Sequence, residues 1–87
     1  MRIDKFLKIS RVIRRRSVAN TACSGGRVKI NGRTVKPSAE VREGDVIEVA
    51  FGQGVTRFEV LSVRDATRKT EAARMVHILE DSPENQP

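Results

Sequence analysis

The chain has 87 residues, 17 of them Lys or Arg against 11 Asp or Glu, for a net charge of +6. That length admits one small domain with a thin core and no separate catalytic domain, and no apolar run approaches a bilayer span. The single cysteine, Cys23, excludes an internal disulfide and a cysteine-pair zinc site, while three Phe with no Trp or Tyr exclude an aromatic platform that stacks several bases.

In chain order, Ile3, Phe6, Leu7 and Ser10 recur at helical spacing while Lys5, Lys8 and Arg11 point elsewhere, which predicts a short amphipathic helix over 3–10. Ile9, Val12 and Ile13 carry the apolar side into a bend. A second helix is expected over 16–24, with Ala19, Ala22, Cys23 and Gly26 as a stripe of small side chains that permits close packing. Gly25 and Gly26 then end it, because glycine accepts the left-handed conformation of a C-terminal cap.

Arg27–Ile30 and Arg33–Lys36 both alternate polar and apolar residues around Asn31-Gly32, the strongest short hairpin signal, since both turn positions favour positive φ. Residues 37–45 read as a loop closing on Glu43-Gly44-Asp45. Val46–Phe51 and Val55–Val63 form a second hairpin around Gly52-Gln53-Gly54. A helical turn over 70–75 and a last short strand at Val76, Ile78 and Leu79 complete an expected domain of residues 1–79. Residues 80–87 are acidic and proline-containing, the composition of a disordered tail.

Charge is distributed unevenly along this layout. Residues 2–36 contain eleven basic residues and one acid, Asp4, giving +10; residues 37–87 contain six basic and ten acidic residues, giving −4. Arg11, Arg14, Arg15 and Arg16 lie in the bend between the helices, with Arg2, Lys5 and Lys8 before them and Arg27 and Lys29 on the first strand. Like charges this dense repel one another unless a polyanion neutralises them and releases counterions. The guanidinium's planar fork engages two phosphate oxygens at once. These nine residues are the candidate RNA contacts, and recognition is expected to rest on phosphates and backbone shape.

The order Arg2-Ile3-Asp4-Lys5-Phe6-Leu7, then Arg11, Arg16 to Ala19 and Gly26-Arg27-Val28-Lys29-Ile30-Asn31-Gly32 resembles the αL RNA-binding motif named after the fourth small-subunit ribosomal protein. It covers roughly residues 1–50. The opening decapeptide with the Arg14-Arg15-Arg16 run is similar to the ribosome-binding group of RqcP-like quality-control proteins and the 15-kDa heat-shock protein. Phe51-Gly52-Gln53 and the segment 67–73 resemble later parts of the RqcP-like members.

This resemblance implies an α+β fold, two short N-terminal helices packed on a small, mainly antiparallel β-sheet. The lone cysteine and an opening without the apolar core of a signal peptide predict a cytoplasmic, metal-free factor, expected to be monomeric and without cofactor. By the resemblance, its partners would be large-subunit rRNA, the peptidyl-tRNA left when a stalled ribosome splits, and an RqcH-type factor whose alanine tailing it supports. By motif position the resemblance marks Arg2, Arg11 and Arg16 as RNA contacts and Asp4 as a residue orienting a neighbouring arginine or the interface. The chain departs from the motif where Arg15 stands in place of a Ser or Thr cap, so the second helix either starts later at Ser17 or starts uncapped.

Other readings are weaker. Cys23 sits on the small-residue stripe, the place of a packed residue rather than a reactive thiol. His77 has no Ser or Cys partner at an interpretable spacing, and Gly25-Gly26 lacks the Lys-Ser/Thr ending of a nucleotide-phosphate loop. An RNA-modifying enzyme would need a catalytic domain this chain has no room for. A general large-subunit recycling, assembly or regulatory factor of the same fold stays open, and its discriminator is whether binding requires tRNA on the subunit.

Overall fold

A computed structural model of the chain describes residues 1–52, 54–64 and 69–82. Gln53 of the second hairpin turn, residues 67 and 68 of the quoted segment and residues 83–87 of the expected tail lie outside the described residues. The elements follow the order α1 (Ile3–Ile9), α2 (Arg16–Ser24), β1 (Val28–Ile30), β2 (Arg33–Thr34), β3 (Val46–Phe51), β4 (Gly54–Val60), α3 (Lys69–Ala73) and β5 (Val76–Ser82). The strands form one sheet in the order β2-β1-β3-β4-β5, with every neighbouring pair antiparallel.

The core lies between the two N-terminal helices and one face of this sheet. Ile3, Phe6 and Leu7 from α1 and Ala19, Ala22 and Cys23 from α2 meet Val28, Ile47, Val49, Phe58 and Val60 from the strands. The Phe6 and Phe58 rings stack with centroids 6.4 Å apart, joining α1 to the sheet centre. Side chains alternate across a strand, so Lys29, Glu48 and Arg57, which are register partners in turn, face away from the helices. Burial of the Cys23 thiol, with the negative charge of Asp4 adding to it, pushes its pKa up to about 11, as suits a packed side chain. Among the described residues no helix is long and apolar enough to cross a membrane.

Local details revise several expected boundaries. Asn31 and Gly32 take φ of 52° and 84°, the two positive values the first hairpin turn requires. Gly26, expected both on the packed stripe of α2 and in its C-terminal cap, is exposed and lies past the helix end with φ 75°, so it serves the cap and not the stripe. Its N–H donates to the Cys23 carbonyl (3.1 Å) and the Arg27 N–H to the Ala22 carbonyl (2.9 Å), a Schellman cap. Because Arg27 closes that cap, β1 starts one residue later than the alternation suggests.

The fourth strand ends at Val60 rather than Val63, because the Leu61 N–H turns to the Met75 carbonyl (2.7 Å). The first residues of the expected tail are part of the last strand. Glu80, Asp81 and Ser82 pair with Arg57, Thr56 and Val55, so they belong to the sheet, and the Arg57 guanidinium meets the Glu80 carboxylate at 2.7 Å.

The expected loop over 37–45 has a structural role that its composition concealed. Ile3 donates its N–H to the Ala39 carbonyl (2.8 Å), Asp4 to the Pro37 carbonyl (3.3 Å) and Val41 to the Met1 carbonyl (2.9 Å). Val41 is buried, and an isolated bridge joins Arg2 to Glu40. The first residues of the chain are thereby strapped down, which matters for Arg2 below.

Candidate nucleic-acid interface

The centre of the basic region is its only acid. Asp4 is 2% exposed and sits in the first turn of α1. Its carboxylate accepts hydrogen bonds from Arg2 Nε (3.2 Å), Arg2 Nη2 (3.1 Å), the Lys5 N–H (2.8 Å), Arg16 Nη2 (3.5 Å) and Asn20 Nδ2 (3.4 Å). Burial alone would raise its pKa, but the bonds from Asn20, Arg2 and the Lys5 N–H, with the charge of Arg16, outweigh it and leave the pKa below the ordinary carboxylate value. At neutral pH Asp4 is therefore an anion.

Its two arginine partners are about half exposed, at 51% and 49%. One buried negative charge thus fixes two guanidinium groups and leaves a net charge of +1. Both open on a shallow cleft lined by Arg2, Asp4, Arg16, Ser17, Asn20 and Thr21. Because Asp4 and the strap over 37–45 hold Arg2, and the first turn of α2 holds Arg16, less side-chain entropy remains to be lost when an anion arrives. The arrangement can bind a phosphate. Asp4 accepts hydrogen bonds from both neighbouring arginines.

The bend that carries the other arginines is built under strain. Arg11 has φ 64°, a left-handed conformation at the end of α1 where glycine is the ordinary occupant. Its N–H donates to the Lys8 carbonyl (3.1 Å) and the Ile13 N–H to the Leu7 carbonyl (3.0 Å). Burial of Ile13 anchors the turn and leaves Arg11, Arg14 and Arg15 exposed. Arg15 is the residue before α2, in extended conformation, and no side chain caps the helix, so of the two starts open from sequence the uncapped one at Arg16 is found.

The nine basic candidates do not form a single patch. Arg2 and Arg16 converge on Asp4; Lys5 and Lys8 are on α1; Arg11, Arg14 and Arg15 line the bend. Arg27 lies at the other end of α2, beside a second groove. Lys29 is carried to the opposite face of the sheet, across from Glu48, because β1 alternates Val28 inward and Lys29 outward. Asn20, Ser17 and Thr21 were not singled out from sequence. Asn20 follows Arg16 by four residues, one helical turn, and that spacing on the arginine side of α2 was the available signal.

Comparison with known proteins accounts for this architecture. The S4 domain family matches residues 1–47. The RQC P-site tRNA stabilizing factor of Bacillus subtilis is 46% identical over 81 residues, covering 93% of this chain and 94% of its own. The chain belongs to the S4-domain family, among the RQC P-site tRNA stabilizing factors. The homologous factor of Halalkalibacterium halodurans is 40% identical over 83 residues, covering 95% of this chain and 94% of its own. Among solved structures, Vibrio cholerae heat shock protein 15, described as trimeric, superposes with a TM-score of 0.81 at 30% identity, over 90% of this chain and 80% of that one. This S4 domain has its α1, bend and α2 inside the matched span, and β4, α3 and β5 beyond it.

Proposed function

We propose that the protein binds rRNA and tRNA on large ribosomal subunits that retain a peptidyl-tRNA, and acts there in ribosome-associated quality control by binding rather than by catalysis. The observation that carries this reading is the Asp4-centred pair Arg2 and Arg16 beside an open cleft, in a chain whose close relatives are named for stabilising a P-site tRNA. In this reading Arg2, Lys5, Lys8, Arg11, Arg14, Arg15, Arg16 and Arg27 contact phosphates, Lys29 is left off this face, and Asp4 sets the geometry of two of them. Holding the tRNA would keep the stalled chain available to an RqcH-type factor for alanine tailing.

The test is binding of the purified protein to large subunits with and without a peptidyl-tRNA, wild type against Arg16→Ala. Preference for the loaded subunit, lost in the variant, is the expected result. Equal binding to both subunits would instead assign a general large-subunit factor of the same fold.

A further inference from the structure

A second groove lies on the far side of α2 from the Asp4 cleft. Ile13, Val18, Ala22, Ala50 and Phe51 form its apolar walls, Arg27 stands at its edge, and it encloses about 240 Å³. Val18 and Phe51 are 50% and 40% exposed, and both lie in the lining of this one groove. The walls are fixed by backbone bonds. The Arg27 N–H closes the cap of α2 on Ala22, while its carbonyl accepts the Ala50 N–H from β3 (2.9 Å), so one residue ties both sides of the groove together.

Ser17 and Thr21 line this groove and the Asp4 cleft alike. The two concavities are separated by one ridge of hydroxyl side chains on α2. Among the described residues no carboxylate lines the groove, and it offers an aromatic ring and a guanidinium to whatever enters it. Unpaired RNA bases stack on such rings and guanidinium planes. At about 240 Å³ the groove is below the usual range of drug-sized sites, so it suits one planar ring system rather than the face of a partner helix.

We infer that this groove takes a single unpaired nucleobase of RNA, stacked against Phe51 beside Arg27, while the sugar-phosphate backbone crosses the Ser17–Thr21 ridge towards Arg2 and Arg16. This deepens the phosphate-binding reading above and rests on it. Too few aromatics exist for a platform of several bases, but one site needs only one ring. The base adds a foothold that phosphate contacts alone do not supply, and it favours a bulged, looped or terminal nucleotide over continuous duplex.

The experiment compares two probes of equal charge and length, a short oligoadenylate and the corresponding abasic ribose-phosphate oligomer, by fluorescence anisotropy with the full chain. Wild type is expected to bind the base-bearing probe about five- to one-hundred-fold more tightly, the range of one stacked base. Phe51→Leu should reduce that preference to within about two-fold, leave affinity for the abasic probe unchanged and keep the melting temperature, while Phe51→Tyr should retain the preference. Equal binding of both probes by wild type, or a preference that survives Phe51→Leu, overturns the inference. So does a Phe51→Leu variant that loses large-subunit binding with no base preference in wild type, since the groove would then hold a protein surface. Arg16→Ala separates the two readings, because it should weaken both probes equally. If it does and the preference is absent, only the groove assignment fails; if it affects neither probe, the phosphate reading fails with it.

Discussion

Two arginine–carboxylate clusters sit on opposite sides of this molecule. On the sheet face turned away from the helices, Arg57 lies between Glu48 (3.8 Å) and Glu80 (2.7 Å), with all three side chains 30–45% exposed. On the helical side Asp4 is 2% exposed and binds two arginines at 3.1 and 3.5 Å. The first has two acids on one base and is already charge-satisfied; the second has one acid on two bases and is left cationic. Water screens the Arg57 cluster, which is confined to cross-strand support. The buried carboxylate instead has its charge supported by five donated hydrogen bonds, and it presents cations outward. The same pair chemistry joins strands in one place and leaves a cationic surface in the other.

The largest test of that contrast is ionic strength. If about six phosphates contact the helical side, affinity for large subunits should fall about a thousand-fold between ~50 and ~200 mM salt, and a flat titration would remove the electrostatic basis of the interface. Next is Arg16→Ala, expected to weaken subunit binding by about 1–3 kcal/mol. The matched Arg57→Ala should leave binding unchanged. Equal losses from both would show that total charge, rather than the Asp4 arrangement, sets affinity.

Asp4→Ala distinguishes geometry from charge more sharply. Removing an acid raises net charge, so simple attraction predicts tighter binding, whereas loss of the shared acceptor predicts weaker binding and a stability loss of about 1–3 kcal/mol. We expect the second, measured by subunit binding and denaturant unfolding. Because the folded-state pKa of Asp4 is lowered, its stabilisation is fully present above the unfolded-state value and disappears as pH falls through the lower folded value. Acid unfolding below about pH 4 should therefore lose this component in Asp4→Ala.

A smaller effect is expected at Arg11. Glycine there relieves a left-handed conformation, so Arg11→Gly should keep or raise stability by up to about 1 kcal/mol while weakening RNA binding. A loss of stability would place the contribution of Arg11 in folding instead. The smallest change should be the stability cost of Arg57→Ala, below about 1 kcal/mol in thermal or denaturant melts.

The legible parts of this chain are those governed by neighbours in sequence. Ile3, Phe6, Leu7 and Ser10 are all buried on one side of α1, and Asn31-Gly32 adopts the turn its residues favour. Less legible were features settled by distant partners. Residues 80–82 had the composition of a tail, but β4 offered them a ladder and Arg57 gave Glu80 a counter-charge. Lys29 was close to the arginine run in sequence and faces the other way in space, since strand alternation separates adjacent residues onto opposite faces.

The sequence by itself determined an α+β domain whose basic residues precede its acidic ones, and its resemblance to the αL motif pointed to Arg2, Asp4, Arg11 and Arg16 by motif position. Only the tertiary structure decided that Asp4 is shared by Arg2, Arg16 and Asn20, that residues 37–45 strap down the end carrying Arg2, and that Phe51 meets Val18 and Arg27 across a groove. Charge and periodicity are local properties of a chain and can be read along it. A shared acceptor or a groove exists only when elements far apart in sequence pack together, because hydrogen bonds and apolar contacts act over a few ångströms in space whatever the sequence distance between the residues.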